Sequence, residues 1–141
     1  MNLSERGLAT EKVLARFRDK PFDWAGANCI RLARAQGVEM GHDLPPVPLF
    51  RSALGARRAL TKRGHESVSA MLDAHFARWP APAFARLGDL VAFPAAPEVG
   101  LEAVCIADGQ GNAWGWSEQN NSQSLVPILM AQADMLAAWR L

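Results

Sequence analysis

Cysteine and histidine are scarce in this chain, which holds two of the first and three of the second among 141 residues, with no histidine after His75. Two cysteines cannot build a disulfide framework or a complete zinc site, and the scattered histidines argue against a closed metal site, so no cofactor is implied. Both cysteines read as reduced thiols of a protein folded inside the cell. Neither sign of charge is in excess: 15 Lys and Arg against 14 Asp and Glu leave +1, which gives no electrostatic case for nucleic acid. Long apolar runs are missing as well. The opening Met1-Asn2-Leu3-Ser4-Glu5-Arg6 lacks the hydrophobic stretch of a signal peptide, and no segment reaches the length of a membrane span. There is no internal repeat, low-complexity tract or linker.

What is present reads as a folded globular domain. Half of the residues are hydrophobic and 21% are charged, which rules against disorder, and 141 residues suit one domain, spanning 1–141, that buries a core without staples. Residues 8 to 18 predict a short amphipathic helix with Leu8, Val13, Leu14 and Phe17 on one face. The segment from Glu39 to Leu49 carries Gly41, Pro45, Pro46 and Pro48 and reads as an ordered surface loop of the kind that rims a site. Arg51 to Arg63 returns to helix, with Arg57, Arg58, Lys62 and Arg63 as a solvated face, and Glu66 to Trp79 predicts another helix with Val68, Met71, Leu72, His75 and Phe76 on its apolar side. The second half changes to strands: Gly88 to Phe93, Leu101 to Ala107, and Asn112 to Trp116 across the hairpin signal Asp108-Gly109-Gln110-Gly111. Leu125 to Met130 predicts a further strand, Ala131 to Ala138 a helix, and Trp139 to Leu141 a closing strand or tail. Helices first and strands second predict an α+β class, N-terminal helices packed on a C-terminal antiparallel sheet.

One stretch combines a reactive side chain with a structural boundary: Pro21-Phe22-Asp23-Trp24-Ala25-Gly26-Ala27-Asn28-Cys29-Ile30-Arg31-Leu32-Ala33-Arg34-Ala35. Pro21 disfavours helix at the residue before it, Gly26 offers a turn, and Asn28 is a good N-cap, so a helix begins at about Asn28. Ile30, Ala33, Ala35 and Val38 supply its apolar side, while Arg31 and Arg34 can stay in water. Cys29 then sits in the first turn, where free backbone N–H groups and the helix dipole favour a thiolate. Against that stands burial, because free cysteine often packs as a small hydrophobe. Phe22, Trp24, Trp114 and Trp116 read as packing anchors, the last two facing one side of a strand about Gly115.

These segments resemble a known family when taken in order. Pro21-Phe22-x-Trp24-x-Gly26-x-Asn28-Cys29-x-x-Leu32-Ala33, Gly55-Ala56-x-Arg58-Ala59-Leu60, Ala85-Arg86-x-Gly88-Asp89-Leu90-Val91, Ala103-Val104-Cys105-Ile106 and Ala138-Trp139-Arg140 are similar to small phage and prophage tail-tip proteins, relatives of the NlpC-type papain-like cysteine peptidases. The resemblance implies a papain-like fold with Cys29 as nucleophile, attacking amide bonds of peptidoglycan stem peptides through an acyl-enzyme. It implies a histidine base opening the strand after Gly88-Asp89-Leu90-Val91, and other tail-tip or baseplate proteins as partners in the virion, with synthesis in the host cytoplasm. Two positions depart from the pattern. Asn28 stands where the motif usually has Asp, and the histidine position falls at about Leu101. Of the histidines present, His42 in the proline-rich loop is the weak candidate base, while His65 and His75 read as structural or surface residues. Glu102, beside the vacant position, is too weak a base for an ordinary thiol. The expectation is therefore an NlpC-like domain without activity, working as a tail-tip assembly component, with an active cysteine hydrolase as the alternative.

Overall fold

A computed structural model describes residues 1–141, and its elements follow the sequence pattern with a few displacements. Helix α1 (Leu3–Phe17) starts earlier than its apolar spacing predicts, because the Asn2 side chain accepts a hydrogen bond from Glu5 N at 2.8 Å and caps it. Helix α2 (Cys29–Glu39) is capped by Asn28, α3 (Ala53–Lys62) by Ser52, and α4 (Val68–His75) by Ser67. Side-chain oxygens thus replace the missing intrahelical acceptors at all four N-termini. The last helix is shorter than the apolar spacing from Glu66 to Trp79 predicts. Its chain leaves the helix at Phe76 in an extended conformation and forms β1 (Ala77–Arg78), and His75, expected on the apolar side, is exposed.

Strands β2 (Leu90–Phe93), β3 (Ala103–Ala107), β4 (Asn112–Trp116), β5 (Leu125–Leu129) and β6 (Ala137–Arg140) complete a sheet of order β1-β6-β2-β3-β4-β5, antiparallel at every pairing. The expected helix over 131–138 does not form. A short 3-10 turn (Met130–Gln132) gives way to extended chain, and β6 slots between β1 and β2. Ala137 and Ala138 are buried there, on the two opposite faces of the sheet, so pairing with β2 overrides the helical preference of an alanine-rich segment.

The helices cover one face of the sheet and build the main core, in which Val13, Phe17, Leu32, Leu72, Ile106 and Trp139 meet. A smaller cluster on the other face, with Val91, Phe93 and Cys105, is packed against Trp79, Met135 and Met130, the last from the 3-10 turn. Burial on both faces explains why β2 reads as an unbroken apolar run. Trp114 and Trp116 do face one side, packing half-buried against the main core. Gly115 between them points the other way, where a Cβ would collide with the Cys105 sulfur. At the open edge, β5 offers little to a further strand, because Leu125 N already donates to Arg18 O at 2.9 Å and Pro127 has no N–H. No helix is long and apolar enough to cross a membrane.

Candidate functional site

Helix α2 opens directly onto a cleft of about 530 Å³, with Cys29 as its first residue. Asn28, fully buried, fixes this entry from both ends of its amide. Its Oδ1 accepts from Ile30 N and Arg31 N at 3.1 Å each, and its Nδ2 donates to the carbonyls of Asp23, Trp24 and Gly26 at 3.4, 3.2 and 3.1 Å. The loop 23–27 is thereby folded back over the helix start. Along one wall, Phe22 meets Trp24 and Trp116 edge to face, with centroids 4.8 and 5.6 Å apart. The opposite wall is the entry to β3, Leu101 to Cys105, with Pro94 to Ala96 above it. At the rim, Ser122 holds a left-handed conformation (φ 54°) that its Cβ disfavours, and its carbonyl accepts from Phe22 N at 2.8 Å.

Cys29 lines this cleft but is only 8% exposed, and its Sγ–H donates to the Glu102 carbonyl at 3.9 Å. Burial pushes the thiol above its ordinary value. Backbone N–H groups of Val104, Cys29 and Ile30 work in the opposite direction without prevailing, and the Glu102 charge adds to the rise. The helix start therefore does not deliver the thiolate that its position predicts, because burial outweighs the N–H groups that favour it.

Leu101, near which the tail-tip resemblance implies a base, is buried and lines the cleft. The titratable residues beside Cys29 there are Glu102, Cys105 and Glu118, with no histidine among them. Glu102 turns its carboxylate to α4, accepting from Ser69 N at 2.8 Å and Val68 N at 3.4 Å. Burial alone raises this carboxyl, and the Ser69 side chain with the backbone N–H groups of Ser69, Glu102 and Val68 outweighs that and holds it below its ordinary value. Cys105 is fully enclosed in the sheet, and burial pushes its thiol far up. His42 does not join Cys29. Its ring packs edge to face on Phe76 at 4.8 Å, and it is absent from the walls of the cleft. His65 and His75 line a separate apolar groove of about 310 Å³ between α2, α4 and the proline-rich loop. That loop is tied down by arginines, with Arg34 donating to the carbonyls of Pro45 (2.8 Å) and Leu44 (3.2 Å) and Arg63 to that of Pro46 (3.0 Å). No group of His, Cys, Asp and Glu side chains is arranged to hold a metal.

The fold has relatives among solved structures. NlpC2 from Trichomonas vaginalis superposes with a TM-score of 0.59 at 12% identity, over 100% of this chain and 49% of that one. NlpC1 from the same organism gives 0.60 at 12% identity, over 99% of this chain and 45% of its own length. The chain thus spans just under half of either structure, and at this identity the likeness concerns the fold: an α+β, NlpC-like architecture. No curated protein matches. The family model described as "Domain of unknown function (DUF6950)" matches residues 3–141, and the chain belongs to that family.

Proposed function

We propose that this chain is an assembly component of a phage or prophage tail tip or baseplate, an NlpC-like fold that retains the peptidase cleft without its reaction. Leu101 is the observation that carries the loss of chemistry. A cysteine peptidase needs a base within hydrogen-bond reach of the thiol. This cleft is lined by no histidine, an aliphatic residue stands at about the position the resemblance gives to the base, and of the two carboxylates in the lining Glu102 is bonded to α4. Losing one member of such a unit forfeits most of the covalent catalysis. The tail-tip part of the reading rests on the ordered set of motifs from Pro21 to Arg140, and neighbouring tail proteins are its partners. One feature favours a second reading, a cysteine peptidase or amidase acting on peptidoglycan stem peptides. Cys29 heads a helix on an aromatic-walled cleft that a partner's side chain could complete.

Alkylation of Cys29 against pH, with Cys29→Ser as control and with peptidoglycan present or absent, separates the two. Particles induced from the lysogen that encodes the chain supply the second arm. The assembly reading expects slow alkylation at neutral pH, no protection by peptidoglycan, and Cys29→Ser particles that assemble and carry the chain in fixed stoichiometry. A thiolate titrating well below about 8.5, protected by peptidoglycan, and cleavage lost in Cys29→Ser would replace it with the hydrolase.

A further inference from the structure

A second polar cleft, of about 430 Å³, lies between the end of α1, the loop 25–27, α2 and the proline-rich loop, and shares no lining residue with the Cys29 cleft. Arg16, Lys20, Arg31 and Arg34 all line it. None of the four forms an ion pair. The one carboxylate in the lining, Glu39, is bound instead to Lys12 at 3.3 Å, and Glu11 on α1 is taken by Arg18 at 3.0 Å. Arg16 and Lys20 rest over the Phe17 ring, 5.2 and 5.6 Å from its centroid, and Arg34 is oriented by the Leu44 and Pro45 carbonyls. Arg31 is the anomaly. Expected in water, it has a buried Nε–H with no hydrogen-bond partner, and it stands in the first turn of α2, where a cation opposes the helix dipole and no acidic residue compensates. Buried donors without partners are rare in folded proteins, and the cost is greater on a charged group. A chain with nearly as many acids as bases has placed four cations and one carboxylate in the lining of one cleft.

We propose that this cleft binds an acidic peptide segment of a partner protein, with carboxylates engaging Arg31 and its neighbouring cations. Guanidinium forks match carboxylates in geometry and form charge-assisted bonds with them. Peptide is favoured over an extended polyanion on two grounds. The net charge of +1 gives no long-range attraction for a nucleic acid or phosphate polymer, and the cations occupy one cleft instead of a track. Phe17, Ala35, Val38 and Val47 in the same lining offer apolar contact to the aliphatic parts of a peptide. This inference is independent of the fate of the Cys29 chemistry.

The test is fluorescence anisotropy with a labelled hexapeptide alternating Glu and Leu, its Gln-for-Glu counterpart, and inorganic tripolyphosphate as competitor, on the whole chain at low and high salt. The acidic peptide is expected to bind, to weaken as salt rises, and to lose about tenfold in affinity in Arg31→Gln, as removal of a charge-assisted hydrogen bond implies. Arg16→Gln should weaken binding in the same direction, which keeps the test decisive if Arg31→Gln fails to fold. Arg58→Gln, exposed on α3 outside the cleft, should leave affinity unchanged. Equal binding of the Gln peptide, no binding at all, or an affinity unmoved in folded Arg16→Gln and Arg31→Gln would overturn the proposal. Tripolyphosphate binding without peptide binding would also overturn it, reassigning the cleft to phosphate.

Discussion

Asn28 makes five hydrogen bonds from a side chain with no solvent exposure: two accepted from α2 and three donated to the loop before it. The cap was legible in the sequence, since an Asn ahead of an apolar periodic run is an N-terminus signal. The three donated bonds were not, because they exist only once the loop 23–27 folds back, with Asp23 N donating to Ala27 O at 2.7 Å. They account chemically for an amide at this position, since a carboxylate has no N–H to donate. Asn28→Asp keeps both accepted bonds but turns a second oxygen toward three carbonyls, with a buried charge that nothing neutralises. The substitution is expected to cost about 2–3 kcal/mol and to raise the Cys29 thiol further, since a new negative charge beside it opposes the thiolate. Thermal unfolding and the pH profile of Cys29 alkylation read the two effects. An unchanged melting temperature would mean that the loop carbonyls do not depend on the amide.

The shortest helix, α4, is eight residues long and draws its N-terminal support from outside itself. Ser67 takes Ala70 N at 2.9 Å, and Glu102 reaches across from the start of β3 to take Val68 N and Ser69 N. An isolated helix of this length does not persist in water, so the carboxylate joins α4 to the sheet at the end where the helix dipole attracts it. Sequence reasoning could weigh Glu102 only as a poor substitute for a missing base. Its partner is 33 residues away, and no local spacing carries that pairing. The same limit explains 131–138, where alanines read as helix until β2 is available to pair with. The folded-state carboxyl lies below its ordinary value of 4.5, so the unfolded chain binds more protons between those two values and stability rises with pH there. The contribution of Glu102 is thus complete above about pH 4.5 and is lost as pH falls through the depressed folded value. Urea unfolding from pH 7 to 3 should show a shallower acid loss in Glu102→Gln than in the natural chain. Parallel curves would place the acid sensitivity elsewhere.

Across the whole molecule, the first helix and the last strand are joined through one carboxylate. Asp89 has no solvent exposure and accepts four hydrogen bonds, from Arg6 Nη2 (2.8 Å), Leu141 N (3.1 Å), Trp79 Nε1 (2.8 Å) and Arg86 N (3.0 Å). Arg6, itself 5% exposed, also donates to the carbonyls of Leu87 (2.9 Å) and Leu141 (2.8 Å). The Gly88-Asp89-Leu90-Val91 motif was visible as a turn into a strand. Arg6 was not, because in sequence it is one charged residue ahead of the helix predicted over 8–18, with nothing local to mark it for burial. A buried pair of this kind adds little over apolar residues of the same shape, but breaking it leaves the remaining charge without compensation. Asp89→Asn should therefore destabilise the chain by about 3–5 kcal/mol, because the Arg6 guanidinium stays ionised beside a neutral amide whose NH₂ is turned toward donors. Arg6→Met alone leaves the Asp89 carboxylate with Arg86 at 4.0 Å and three hydrogen bonds, so it should cost less than Asp89→Asn. The double variant removes both charges, so its loss should fall well short of the sum of the two single losses, a coupling that chemical denaturation measures directly. Additive losses would mean that Arg6 and Asp89 stabilise the two ends of the chain separately, through their backbone bonds alone.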